Sequence, residues 1–380
     1  MDLELDQATR EFQEEVREFL AANKPRTPLP SMDTKPGFEA HRDWERTLAD
    51  ARLSVVSWQR EYGGRDASLL EWVLFEQEYY AAGAPGRVSQ NGIFLLAPTL
   101  FEHGSPEQLD RIMPRMARGD DIWAQAWSEP EAGSDLAGSR STATRTTGGW
   151  LLSGQKTWSS RAAFADWAFG LFRSDPTAER HRGLTYLMFP LTADGVTVRP
   201  IPQLDGEPGF AEIFLDEVFV PDRDVIGEPG EGWRVAMSTS SNERGLSLRS
   251  PGRFSATASR LIDLWRESGD PANTAQRDAV VDAWIGSEAY RLHTFGTVTR
   301  LNEGGKLGAE SSITKVFWSE LDIAMHETAL EVLGPTAEQA GAWTDGYLFS
   351  LSGPIYAGTN EIQRNIIAER LLGLPRGSSR

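Results

Sequence analysis

The period of the hydrophobic pattern changes twice along this chain, and that change restricts the fold more than any single motif does. Up to about residue 120, apolar residues recur at helical spacing, as Leu5, Ala8, Phe12, Val16 and Phe19 do. The segment "SLLEWVLFEQEYYAAG" opens with Ser68 and Glu71 in capping-box register. "SPEQLDRIMPRM" does the same with Ser105, Pro106 and Gln108. From about 121 to 225 the pattern becomes that of short strands. "STATRTTGGWLLSGQKTW" has two strand-like runs around Thr-Gly-Gly, which predicts a hairpin. "WAFGLFRS", "LTYLMFPL", "VTVRPIP" and "FAEIFLDEVFVP" follow, rich in β-branched and aromatic residues, and suggest a compact barrel or sandwich. After "GEPGEGWRVAM" the helical period returns, with segments near 233–267, 273–300, 306–334 and 357–372. The expected class is therefore α+β: an all-α domain over 1–120, a middle β-barrel domain over 121–228 and a C-terminal helical bundle over 229–380, four-helix by its predicted segments. The order all-α, all-β, all-α does not suggest a doubly wound sheet.

Charge and cysteine content narrow the function. A formal net charge of −17 argues against a nucleic-acid surface and against attachment to anionic lipid, both of which need clustered Lys and Arg. With no cysteine, disulfides, thiol nucleophiles and thiolate metal sites are excluded. The acidic, amphipathic start "MDLELDQATREFQEEVREFL" does not read as a signal peptide, and no run approaches the ~20 apolar residues of a membrane span. A cytoplasmic protein without membrane or nucleic-acid partners is expected. The glycines of "GEPGEGW" do not follow a strand in dinucleotide-binding spacing, and neither a Walker loop nor a G-x-S-x-G elbow is present. The five histidines, His41, His103, His181, His293 and His326, never fall at metal-ligand spacing with carboxylates, so no metal site is expected. Thirteen tryptophans supply large flat faces suited to cores, interfaces or a ligand cleft.

Three motifs in order carry a resemblance: "WSEPEAGSDLAG" at 127–138, "LSGQKTWSS" at 152–160 and "YAGTNEIQRNIIAERLLG" near the C-terminus. With the helix–barrel–helix order, they make the whole chain resemble the acyl-CoA dehydrogenase family. "EYGGRDASLLEWVLFEQE" and "NERG" look most like the branch of pimeloyl-CoA dehydrogenase large subunits and sterol-side-chain acyl-CoA dehydrogenases. The resemblance implies noncovalent FAD, a site completed by a neighbouring subunit, and α,β-desaturation of an acyl-CoA with electrons passed to an electron-transfer flavoprotein. It implies a homotetramer or dimer, or a heterotetramer with a related chain. Carried over by position, Gln125, Trp127 and Ser128 lie beside the isoalloxazine, and Trp158, Ser159 and Ser160 flank it. Thr359 and Glu361 contact the adenosine half of FAD. Ser134 contacts the pantetheine side of the substrate, with Arg244, Tyr356 and Gly358 also in the acyl-CoA site. The family's Arg-x-x-Phe-Gly is absent; "ANTAQRDAVVDAWIG" stands there, with Arg277 as the nearest candidate for the pyrophosphate.

The same resemblance raises a question of chemistry. In many relatives a Glu immediately before Gly-Thr removes the α-proton, but here that residue is Ala357. Other relatives carry the Glu on a bundle helix, and "TSSNERGLSL" places Glu243 at that position. A carboxylate in an apolar, substrate-filled cleft has its pKa raised toward neutrality, which suits a general base. The expectation is a divided site: Glu243 removes the proton, and the Ala357 backbone N–H holds the thioester oxygen. Two alternatives share the scaffold. One is a flavin-dependent monooxygenase, which does not need the Glu; the other is a catalytically silent partner subunit of a heteromeric dehydrogenase.

Overall fold

The computed structural model describes residues 4–245, 250–305 and 307–375, and the side chains of residues 241–250 are outside that description. The chain begins with α1 (Gln7–Asn23), α2 (Lys35–Asp50), α3 (Leu69–Ala81), α4 (Ala97–His103) and α5 (Pro106–Ala117). Phe12, Val16 and Leu20 are the buried apolar residues of α1. Both expected capping boxes form: the Ser68 hydroxyl accepts from Glu71 N–H, the Ser105 hydroxyl accepts from Gln108 N–H, and each N3 side chain accepts from the cap amide in return.

Eight strands follow: β1 (Trp123–Ala126), β2 (Thr142–Thr146), β3 (Gly149–Ser160), β4 (Trp167–Arg173), β5 (Leu184–Pro190), β6 (Val196–Ile201), β7 (Phe210–Pro221) and β8 (Val225–Ile226). They form one sheet in the order β6-β7-β3-β2-β4-β5-β8, with β1 parallel to β4. The hairpin pairs Thr146 with Gly149 across a two-residue loop, where Gly148 takes φ 74°. Leu152, Phe172, Phe189, Ile213 and Val220 are buried in the core of this sheet. Among the described residues its hydrogen-bonded path has ends at β6 and β8.

The remaining helices are α6 (Gly232–Gly245), α7 (Ser250–Ser268), α8 (Thr274–Asn302), α9 (Ser311–Leu333), α10 (Ala342–Ser350) and α11 (Asn360–Ile366). The single segment expected at 233–267 is thus two helices, and α10 had no clear signal. Its nine residues contain both Trp343 and Gly346 and show no sustained apolar period. Phe254, Leu261, Tyr290, Trp318 and Met325 are buried in the C-terminal core, with the rings of Phe254 and Tyr290 edge to face at 5.5 Å.

The chain divides into two compact units. One comprises Met1–Asn23, Ala67–Ala84 and Arg244–Arg380; the other comprises Lys24–Asp66 and Pro85–Glu243. In the first, α3 packs on α7 so closely that a Cβ on Gly252 would stand 2.6 Å from the Glu76 carbonyl oxygen. In the second, the sheet is joined by α2, α4, α5 and all of α6 up to Glu243. No described helix is long and apolar enough to cross a membrane.

Candidate functional site

In the second unit, the ends of β1 and β3 bring six expected residues together. The Thr157 amide donates to the Ser128 carbonyl at 2.8 Å, which joins the two motif segments. Between Lys156 and Ser159 the pairing of β3 with β7 slips, and Trp158 takes φ 59°. A bulge of this kind re-aims a side chain. Here it turns an indole outward: Trp158 is 59% exposed, although its ring still meets Phe210 edge to face at 6.0 Å. Ser159 is fully buried and Ser160 ends the strand, paired with Phe210. Two buried polar atoms in this group, Gln125 Nε2 and Ser159 Oγ, have no partner among the described residues. Ser134 lies exposed in the loop after β1.

Trp127 links this group to α6. Its indole N–H donates to the Tyr186 hydroxyl at 2.9 Å, and that hydroxyl lies 3.2 Å from Thr239 Oγ1. Thr239 stands four residues before Glu243 in α6, so the two share one face of that helix. The side chains of Glu243 and its neighbour Arg244 fall outside the described residues.

The sequence reading overlooked what fastens the two motif segments. Lys156 and Glu129 are both buried, and the Lys156 ammonium donates to Glu129 Oε1 at 2.7 Å and to the Leu171 carbonyl at 2.8 Å. Glu129 also accepts from the amides of Arg140 at 2.6 Å and Ser141 at 3.0 Å. Burial alone would raise the Glu129 pKa, but the Lys156 charge and these two amides outweigh it and hold the carboxyl below its ordinary range. One signal was present in the sequence: Lys156 is the only charged residue in the β3 run, in phase with the buried Leu152 and Trp150.

In the first unit, the terminal motif forms a tight turn leading into α11. Ala357 takes φ 57° and Gly358 φ 76°. A left-handed alanine costs on the order of 1–2 kcal/mol, so the surroundings must fix it. The Gln363 amide donates to the Ala357 carbonyl at 3.0 Å and to the Gly358 carbonyl at 3.3 Å. Thr359 caps α11, its hydroxyl accepting from Ile362 N–H. Asn360 is buried; its side-chain oxygen accepts from Lys315 Nζ at 2.8 Å and from Ser319 Oγ at 3.2 Å. The Glu361 carboxyl is held below its usual range by its own amide first, then by the Thr359 hydroxyl. Tyr356 packs its ring on Trp318 at 5.7 Å.

Of the apolar stripe Ile362, Ile366, Ile367 and Leu371, the isoleucines are half-buried and Leu371 is 40% exposed, whereas Asn360 and Gln363 are the buried residues of α11. Polar bonds to α9 anchor the start of α11. Arg277, in the first turn of α8, is half exposed and bonds the adjacent Asp278 at 2.9 Å. It is not part of the 356–361 turn.

Comparison with known proteins places this geometry. The family models described as acyl-CoA dehydrogenase N-terminal, middle and C-terminal domain match residues 6–120, 124–218 and 230–372. An acyl-CoA dehydrogenase of Mycolicibacterium smegmatis, IpdE1, is 39% identical over 97% of this chain and 98% of its own length. FadE34 of Mycobacterium tuberculosis is 38% identical over 87% of this chain but only 46% of its own length. Among solved structures, the Tcur3481-Tcur3483 steroid ACAD has TM-score 0.87 at 25% identity, covering 99% of this chain and 100% of that one. The ChsE4-ChsE5 complex from Mycobacterium tuberculosis has TM-score 0.82 at 26% identity, with coverage of 99% and 100%.

Proposed function

The chain belongs to the acyl-CoA dehydrogenase family of FAD-dependent oxidoreductases, and from that premise we propose that it desaturates an acyl-CoA thioester with Glu243 as the base that takes the α-proton. The observation that carries this reading is the line Trp127–Tyr186–Thr239. It runs from the β1 end to the face of α6 on which Glu243 follows one turn later. Ala357, where many relatives have the base, cannot accept a proton.

The Ala357 amide takes the second role, donating to the thioester oxygen as negative charge builds there. Its carbonyl is held by Gln363, while its own N–H meets no acceptor among the described residues. A donor fixed before reaction needs no reorganisation when charge develops, which is the basis of oxyanion stabilisation. Tyr356, Gly358, Arg244 and Ser134 are proposed to line the acyl-CoA.

The residues present fit FAD. Trp158 offers a flat exposed indole, and Gln125 and Ser159 keep buried polar atoms without partners among the described residues. Gln125, Trp127, Ser128, Trp158, Ser159 and Ser160 are therefore assigned to the ring system, and Thr359 and Glu361 to the adenosine half. When bound, FAD supplies the acceptor for the hydride leaving Cβ. Arg277 is assigned to a pyrophosphate across a subunit boundary, for which it would have to leave Asp278. An electron-transfer flavoprotein is the proposed final acceptor.

The test is Glu243→Gln. The purified variant should stay yellow with bound FAD yet fail to bleach anaerobically with any acyl-CoA that bleaches the parent. Normal bleaching would remove Glu243 from the mechanism.

A second reading concerns assembly. Val281, Trp284 and Ile285 on α8 are 46%, 50% and 51% exposed, and the stripe along the terminal helix is only half-buried within this chain, with Leu371 exposed. Large exposed apolar residues at helical spacing suit a subunit interface. Both structural neighbours named above are two-chain assemblies by description. A heteromer with a related chain accounts for these faces. The chain purified alone should then be poor in flavin and regain it on co-expression with its partner, whereas a flavin-replete homotetramer contradicts the heteromer.

A further inference from the structure

One face of α9 carries four buried polar residues in a row. Lys315, Ser319, Asp322 and His326 stand at i, i+4, i+7 and i+11, with side chains almost wholly inside a helical bundle. Such a stripe is unexpected in a core helix, because each group must be desolvated and then satisfied. Its upper half is accounted for: Lys315 and Ser319 hold Asn360, the residue that follows the Gly358–Thr359 step.

The lower half leads to the same turn by another route. Asp322 forms an ion pair with the Arg253 guanidinium of α7. The pair is backed by His326, whose Nδ1 lies 2.8 Å from the Asp322 carbonyl oxygen and 3.4 Å from its carboxylate. Arg253 also lies over the rings of Phe254 at 5.4 Å and Phe349 at 5.3 Å. Burial lowers the Arg253 pKa, but the Asp322 carboxylate first, and then Tyr356 and Tyr80, raise it above its ordinary value. The Tyr356 ring meets both Trp318 at 5.7 Å and the same Phe349 at 6.2 Å.

We infer that Arg253 is a positioning residue for the 356–360 turn, clamping its Tyr356 end as Lys315 and Ser319 clamp its Asn360 end. The turn contains Ala357 in a conformation an alanine does not hold by preference. Two fixed points on one rigid helix, on either side of the strained residue, set the direction of its amide. Its importance for the reaction rests on the proposed role of that amide; the clamp itself does not. A guanidinium suits the task because its planar fork bonds the Asp322 carboxylate while its face lies over aromatic rings, as a lysine ammonium cannot with fixed geometry.

The test is hydrogen exchange in the FAD-loaded enzyme. Arg253→Met should speed amide exchange in residues 353–362 by about tenfold, with exchange in the core of α8 unchanged. Arg253→Lys should lie between the two. Phe349→Leu, which removes the half-exposed ring that meets both Arg253 and Tyr356, should reproduce the effect on residues 353–362 without lowering the melting temperature. It therefore serves if Arg253→Met does not fold. Unchanged exchange at 353–362, or a rise spread evenly over α7, α8 and α9, overturns the inference. A second readout addresses the chemistry. The bleaching rate at saturating acyl-CoA should fall about tenfold in Arg253→Met while acyl-CoA affinity changes less than twofold; the opposite split contradicts positioning. Normal bleaching by Glu243→Gln would defeat the proposed base yet leave the exchange result standing, so the two failures are distinguishable.

Discussion

Lys156 and Glu129 form a buried ion pair at 2.7 Å that ties the strand leading to Trp158 to the loop leading from Trp127. A buried pair is weak evidence of net stability, because desolvation offsets the attraction, but removing one partner leaves a charge alone in the interior. Lys156→Met should therefore destabilise the second unit by about 3–5 kcal/mol. Urea unfolding followed by tryptophan fluorescence measures this. FAD content should fall with it, because Ser128 and Thr157 lose their common anchor. A loss within 0.5 kcal/mol would mean the pair is dispensable.

The same pair has a pH signature. The folded Glu129 carboxyl titrates below the unfolded value of about 4.3. Its stabilising contribution is thus complete above that value and lost as pH falls through the lower folded pKa. Asp322 adds in the same direction: burial would raise its pKa, but Arg253 and His326 lower it further than burial raises it. Stability from urea titrations should hold between pH 7 and 5 and fall steeply toward pH 3. In the double variant Glu129→Gln/Lys156→Met the acid slope should be shallower. An identical slope would assign the acid lability to other groups.

Ala357→Gly separates stability from activity. Glycine removes a left-handed penalty on the order of 1–2 kcal/mol, and its extra unfolded-state freedom takes back roughly 0.5–1 kcal/mol. Stability should stay level or rise by about 1 kcal/mol. The reduction rate should nevertheless drop, because a glycine turn fixes the amide direction less tightly. Faster or unchanged bleaching, measured by stopped flow, would speak against a fixed amide donor.

Asn360→Ala takes one acceptor from the buried Lys315 ammonium, a loss of about 1–3 kcal/mol. The first turn of α11 should fray and carry Thr359 and Glu361 with it. The ratio of flavin to protein absorbance after gel filtration should then decline relative to the parent. Full FAD retention would detach this turn from the cofactor.

The large features of the fold were legible because they rest on periodicity and local chemistry. Ser68 and Ser105 cap helices by contacts within four residues, and Thr147–Gly148 turns a hairpin by its own backbone. What stayed hidden depends on contacts distant in sequence. Nothing near Lys156 announces Glu129, which lies 27 positions away, and nothing near Asn360 announces Lys315, 45 positions away. The isoleucine stripe of the last helix is only half-buried for a related reason: a pattern records that a face is apolar, not that this chain covers it. In the site, motif residues could be placed by position, while the positive φ of Trp158 and Ala357, which gives those positions their geometry, is written in neither residue type.

The central claim is that Glu243 removes the proton next to the thioester carbonyl. An acyl-CoA analogue with sulfur in place of the β-carbon cannot release a hydride, so exchange of its Cα hydrogens with deuterated water reports the base alone. The parent enzyme should catalyse that exchange, and Glu243→Gln should slow it by about 10²–10⁴-fold, the range for loss of a general base. Equal exchange rates in the two proteins would contradict the account.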